Sequence, residues 1–189
     1  MTAEYGTERG KVFPASKARS LLNPARRLVQ PPRRVIDALG LAGDATVLEV
    51  GCGPGYFSPT LAGAVPSGTA VLADLQFEML RVAQERLVSH DNVRFVQLDA
   101  TRLPFATASF DAVLVVLMLG EIPESERFLS ECRRVLRPGG LALFAESRRD
   151  SDFISRTALP ALVEPHGFAL DEIRGWRWEY TARFSPVPH

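Results

Sequence analysis

From Thr46 onward, apolar residues fall in short continuous runs separated by stretches of helical spacing. The runs Thr46–Val50, Ala70–Ala73, Val93–Gln97, Ala112–Leu117 and Leu141–Phe144 predict strands. Most lack the alternation of a half-exposed sheet, so they predict parallel strands covered on both faces. Between them, Phe77–His90 sets Leu80, Ala83 and Leu87 on one helical stripe, with Asn92 as its terminator. Glu124–Leu136 carries Glu124 and Glu126 in its first turn and Arg133, Arg134 and Arg137 at its end, which complements a helix dipole. Its apolar stripe is Phe128, Cys132, Val135 and Leu136, and Pro138-Gly139-Gly140 stops it. Repeated strand–helix–strand units predict a doubly wound α/β domain with right-handed crossovers. The tail differs: Phe168–Ile173 and then, after Gly175, Trp176–Phe184 predict a hairpin with Trp176, Trp178 and Tyr180 on one face. An antiparallel pair therefore closes a parallel sheet.

Upstream of the strands, Pro32–Leu39 predicts one helix capped by Gly40. Residues 1–30 stand apart as a basic arm or lid, leaving 31–189 as the core domain. At 189 residues and 46% hydrophobic, the chain suits one domain of this kind. Its 22 basic and 22 acidic residues balance, so bulk charge predicts no nucleic-acid or membrane partner. The balance is local, however, because residues 1–40 hold eight Arg/Lys against three Asp/Glu. Two cysteines, Cys52 and Cys132, form neither a disulfide framework nor a zinc spacing and fit a cytoplasmic, reducing setting. The first ten residues lack a signal-peptide core, and the longest strongly apolar run, Ala112–Leu119, is far below the roughly 20 residues of a membrane span.

The chemistry concentrates where the first strand ends, in Val47-Leu48-Glu49-Val50-Gly51-Cys52-Gly53-Pro54-Gly55. Three alternate glycines let a loop turn sharply and lay its amides against a ligand. The nicotinamide fingerprint spaces its glycines G-x-G-x-x-G. Here Tyr56 holds the third position and Gly55 comes one residue early. Glu49, two residues before the first glycine, would repel a pyrophosphate and attract an ammonium group. Asp74, at the end of the second strand, suits the two hydroxyls of a ribose; its other reading is a helix N-cap. Asp99, after the third strand, is either a turn aspartate or an acceptor for an adenine amino group, with the Ala100 amide meeting a ring nitrogen. Three acids at successive strand ends mark the sheet edge at which open parallel sheets bind ligands.

With VLEVGCGPGYF, ADLQFEML, LDATRLPF, SFDAVLVVLMLGEIP and RVLRPGG in this order, the chain resembles the class I S-adenosylmethionine (SAM)-dependent methyltransferases. It is most similar to the bacterial type 11 group that includes quinone-biosynthesis enzymes, over about Val47 to Glu146. The resemblance implies a mostly parallel seven-stranded, Rossmann-like sheet whose last strand is antiparallel and inserted beside the fifth. It implies that Glu49, Gly51, Cys52, Gly53 and Gly55 hold the methionine part of SAM, Asp74 and Leu75 the ribose, and Asp99 and Ala100 the adenine. Backbone near Val116 and Leu117 would complete the methionine pocket.

The methyl acceptor is harder to read. His90, His166 and His189 sit at a helix end, in a Pro-His-Gly turn and at the last position, which suits none of them to catalysis. Glu121, just past the fourth strand where relatives often carry histidine, is the candidate acceptor-site residue, with Glu146 behind it; the plain alternative for Glu121 is a dipole-stabilised acid. No Asn/Asp-Pro-Pro-aromatic sequence for exocyclic amines of nucleic acid is present, nor a Pro-Cys nucleophile, nor a soft-metal cysteine cluster. A small-molecule or lipid-like acceptor remains, with no metal. The segment Arg19–Arg34 interleaves arginines with Leu21, Leu22, Leu28 and Val29. It can be a lid, a weak membrane-surface contact or an inert arm. A SAM-binding protein without catalysis and an NAD-dependent oxidoreductase stay as rival classes, and the oligomeric state is open.

Overall fold

The computed structural model describes residues 13–187. The first twelve residues of the arm and His189 lie outside them. Helices are α1 (Arg26–Val29), α2 (Pro32–Asp37), α3 (Ser58–Ala64), α4 (Phe77–Arg86), α5 (Ser125–Val135) and α6 (Ala158–Val163). Strands are β1 (Thr46–Val50), β2 (Thr69–Asp74), β3 (Val93–Gln97), β4 (Phe110–Val116), β5 (Leu136–Ser147), β6 (Phe168–Trp176) and β7 (Glu179–Pro186). They form one seven-stranded sheet in the order β3-β2-β1-β4-β5-β7-β6. The pairings from β3 to β5 are parallel, and β7 runs antiparallel between β5 and β6.

The continuous apolar runs have the expected cause. β1 and β4 are buried on both faces, and their period of two divides one sheet between two cores. Leu48, Val50, Val113 and Val115 join Phe128, Leu129 and Val135 of α5 and Leu159 of α6. Val47, Leu72 and Leu114 join Ile36 of α2, Leu61 of α3 and Leu80 of α4. The inserted β7 is tied in by Phe184, which meets Phe144 of β5 edge to face at 5.7 Å between ring centroids.

Several boundaries move. Helix α4 ends at Arg86 rather than His90. Asn92 does not terminate it: its amide donates to the Ala62 and Val65 carbonyls (2.9 and 2.8 Å), tying the start of β3 to the end of α3. Strand β5 begins at Leu136, which pairs with Phe110, so it runs through the Pro138-Gly139-Gly140 that stops the helix. The final hairpin turns at Arg177-Trp178, where Trp176 pairs with Glu179. Trp176, Trp178 and Tyr180 therefore do not share a face: the turn sends both tryptophans outward, whereas Tyr180 is buried and donates to the Ile154 carbonyl at 2.8 Å. Among the described residues, no helix is long and apolar enough to cross a membrane.

Candidate functional site

The chain leaves β1 for β2 and β3 on one side and later takes β4 and β5 on the other. Loops after β1 and β4 thus part at a topological switch point, the crevice where such sheets bind ligands. A cleft of about 840 Å³ opens there.

Its floor is the glycine loop. The Gly51 and Cys52 amides both donate to the Ala73 carbonyl (2.8 and 3.0 Å), which staples the loop to the end of β2. Gly51 has φ +72°, and a Cβ there would lie 2.6 Å from Cγ of Met118, so glycine lets the β1 and β4 loops close on each other. Gly55 does a different job: a Cβ there would press on Ala83 and Leu87 at 3.2 and 3.3 Å, so it seats the loop against α4.

Three carboxylates surround this floor. Asp74 is held by the loop itself, with Oδ2 accepting from the Gly53 amide (2.8 Å) and Oδ1 from the Gln76 amide (2.9 Å). Burial raises its pKa, and those amides oppose the rise. Glu49 lies beneath the loop, 2% exposed, and accepts from Ser58 Oγ at 2.7 Å. Burial, with some repulsion from Asp74, pushes it up to about 7. Glu121 follows β4 in a 3₁₀ turn, and burial plus Asp150, Asp152 and Asp74 push it up to about 8. Gly120 sets that turn tightly on the loop after β5, since a Cβ would run into the Asp152 carbonyl. Carboxylate oxygens of Glu121, Asp150 and Asp152 lie within 4.8 Å of one another.

The roof comes from the arm. The Gln76 side-chain amide donates to the Phe13 carbonyl (2.8 Å), and the Tyr56 hydroxyl donates to the Gln30 carbonyl (3.2 Å). The Arg26 guanidinium lies over Tyr56 and Phe57, 4.4 and 5.3 Å from their ring centroids. It also donates to Gln30 Oε1 (3.1 and 2.9 Å) and to the Leu21 carbonyl (3.3 Å).

Of the residues singled out from sequence, Gly51, Cys52, Gly53, Asp74, Leu75, Ala100, Val116 and Glu121 line this cleft, as does Leu117. Leu117 holds a left-handed φ of +52°, an unfavourable conformation for a leucine, at the tip of β4. Glu49 and Gly55 sit behind the wall. Asp99 lies between the wall residues Leu98 and Ala100, with Oδ1 accepting from the Thr101 amide and hydroxyl (2.9 and 2.8 Å). Glu146 is turned away, accepting from the Ile154 amide at 3.2 Å. Neither His90 nor His166 reaches the cleft. Sequence reasoning missed Tyr56, Gln76, Arg149 and Asp150, all in the wall. Asp150 follows the end of β5 at the sheet edge where ligands bind, a position that could have marked it, whereas nothing in the spacing marked Gln76 or Tyr56.

The chain matches the type 11 methyltransferase domain over residues 48–144. It is 37% identical over 142 residues to a ubiquinone/menaquinone biosynthesis C-methyltransferase of Hahella chejuensis, covering 69% of this chain and 57% of that one. It is 32% identical over 165 residues to a demethylmenaquinone methyltransferase of Clavibacter sepedonicus, covering 76% and 66%. The chain thus spans less than two thirds of the length of these relatives. A SAM-dependent methyltransferase from Aquifex aeolicus superposes with a TM-score of 0.86 at 23% identity, over 93% of this chain and 100% of that one.

Proposed function

Because the chain belongs to the type 11 family of class I SAM-dependent methyltransferase domains, we propose that it moves a methyl group from SAM to a small organic acceptor held in the same cleft. The observation that carries this reading is the charge of the floor. Burial is the main cause that raises the pKa of Glu49 and Glu121, and Asp74 adds to both rises, so the three acids share one field around the glycine loop. Such a floor suits a ligand with a sulfonium and an ammonium and opposes a pyrophosphate. The cleft volume, about 840 Å³, lies toward the upper end of the roughly 300–1,000 Å³ typical of small-molecule sites, which suits cofactor and acceptor together.

In this reading Glu49 compensates the ammonium from below and Asp74 accepts from the ribose hydroxyls. Leu98, Asp99 and Ala100 receive the adenine, and the Val116–Leu117 backbone receives the methionine part. When bound, SAM supplies a methyl group activated by its sulfonium. The protein's task is to align a nucleophile behind that carbon and keep water out. Glu121, held near neutrality, takes a proton from an acceptor that must lose one. The arm, residues 1–30, acts as the lid over the core domain 31–189, with Arg26 and Gln30 as its fastening. Leu21, Met79, Met118 and Ile122 give the cleft an apolar lining, which suits a ring of the quinone-precursor kind that the relatives' names indicate.

Calorimetric titration with SAM, its demethylated product and NADH tests the cofactor. Binding of the first two without the third is expected, and NADH binding without a SAM signal would sink the reading. Isotope transfer from methyl-labelled SAM to components of a metabolite extract then separates an enzyme from a protein that only binds SAM.

A further inference from the structure

The two outward tryptophans have no place in the cleft. Trp176 and Trp178 are 69% and 48% exposed at the end of the β6–β7 hairpin, stacked at 6.2 Å with rings 10° from parallel. The Arg177 guanidinium lies 5.4 Å from the Trp178 ring centroid. The turn sits beside the mouth of the cleft: the Trp178 carbonyl accepts from the Arg148 amide at 2.7 Å, and the next residue, Arg149, lines the cleft. The hairpin also borders the arm. Gln30, Pro31 and Arg34 share a hollow of about 230 Å³ with Arg174, Gly175 and Glu179. Two residues before Gln30, α1 exposes Leu28 to 89%, next to exposed Arg27. Among the described residues no ion pair holds Arg27, Arg34 or Arg177, while Arg174 is paired with Glu172 at 2.7 Å.

We infer that this face, Trp176-Arg177-Trp178 with Arg27, Leu28 and Arg34, docks the protein on an anionic lipid surface with the mouth of the cleft toward the membrane. Tryptophan is the side chain suited to the headgroup level, where its ring is half in apolar surroundings. Arginines beside it supply the complementary charge, and an exposed leucine on the neighbouring short helix adds apolar depth. The apolar part is a hairpin tip and one leucine, separated by arginines. A stable protein partner would instead want a continuous patch of about 800 Å². The inference does not depend on methyl transfer, because lipid docking is read without an acceptor or SAM.

The chain contains two tryptophans, both at this tip, so selectively excited tryptophan fluorescence reports on it alone. The experiment titrates the full chain with vesicles of phosphatidylcholine, with and without phosphatidylglycerol, at low and high salt. Expected are a blue shift and sedimentation with the anionic vesicles, weakened by salt. Arg34→Glu/Arg177→Glu should lower vesicle affinity by about 25-fold or more, from about fivefold (about 1 kcal/mol) per arginine removed from the surface. Trp176→Ser/Trp178→Ser, followed by sedimentation, should also lose binding, while both variants keep the parent's circular dichroism and SAM affinity. No shift with anionic vesicles at low salt overturns the inference, as does equal binding to neutral vesicles. A blue shift that grows with protein concentration in the absence of lipid, with a dimer in analytical ultracentrifugation, makes the tip a contact between copies and overturns it too. If docking occurs and SAM does not bind, the cofactor reading fails while this one stands.

Discussion

Replacing Asp74 separates a ribose-binding carboxylate from a helix-start aspartate, and the structure sets an order that differs from simple chemical similarity. Asparagine keeps one acceptor, so similarity alone suggests that Asp74→Asn is milder than Asp74→Ala. Yet both carboxylate oxygens already accept from backbone amides, Oδ2 from Gly53 and Oδ1 from Gln76. Whichever way an asparagine is turned, its NH₂ faces one of those N–H groups, donor against donor. Alanine leaves the same two donors to water in the open cleft. A hydrogen bond to a charged group is worth about 1.5–3 kcal/mol. Loss of one such bond to the ribose weakens SAM binding by roughly 10–150-fold. Loss of the amide ties costs folded stability as well, with each kcal/mol lowering the melting temperature of a domain this size by about 2–4 °C. The expected order of SAM affinity is Asp above Ala, with Asn equal to or below Ala. Calorimetry with SAM and thermal melts without it measure the two effects separately. An Asn variant that binds SAM within twofold of the parent and melts at the same temperature would falsify both the ribose assignment and the donor-clash argument.

Gly51→Ala should weaken SAM binding at least tenfold, because relief of the 2.6 Å contact pushes Met118 into the cleft; Gly139→Ala, at φ +80° with nothing within 4 Å, should cost only about 1–2 kcal/mol of stability and leave SAM affinity unchanged in the same titration. SAM affinity should rise between pH 6 and 9 as Glu49 and Glu121, held up to about 7 and about 8, ionise to meet a cation. Stability without SAM should move the opposite way, falling from about pH 4.5 to 8: over that range the unfolded chain has released protons that folded Glu49, Glu121 and Glu146 retain. Denaturant melts across pH check this, and a curve that rises through the same window would refute the burial argument. Arg26→Ala should loosen the roof by about 0.5–2 kcal/mol of stacking energy, lowering SAM affinity a few-fold to about 30-fold and methyl transfer further; an unchanged rate would make the arm inert.

How much of this was legible in the residues depends on which physical constraint wrote them. Strands β1 and β4 must be apolar on both faces, and the loop between them admits only glycine where it meets Met118, so both announced themselves. Asp74 was visible because it closes a strand. Asn92 misled because asparagine serves equally as a helix stop and as a side-chain tie, and only the fold brings the Ala62 and Val65 carbonyls within its reach. The tryptophans misled for a related reason. An alternating pattern carries over a turn only if the turn adds no residue out of register, and Arg177-Trp178 are the turn. The roof was least legible. Gln76 acts through a single bond to the Phe13 carbonyl, and Gln30 accepts from Tyr56 and twice from Arg26, contacts that leave no periodic trace.

Net charge was the weakest guide of all, and the structure explains why. The chain sums to zero, but the signs are sorted in space rather than mixed. Acids occupy the floor and far wall of the cleft, where burial raises the pKa of Glu49 and Glu121, Asp74 adds to both rises and Asp150 adds to that of Glu121. Arginines occupy the arm, helix α2 and the loops around the mouth of the cleft, from Arg26 and Arg34 to Arg149 and Arg177. Asp150 and Glu179 at the boundary feel Arg26, and Glu179 feels Arg149 and Arg34 as well. Coulomb interactions across the low-dielectric wall are stronger than those screened in solvent over about 8–10 Å. The local field at each surface therefore follows its nearest charges and not the sum. An acidic interior draws a cationic cofactor inward while a basic rim turns toward anions. A neutral protein can in this way present two opposite preferences a few residues apart, and a charge count over the whole sequence erases both.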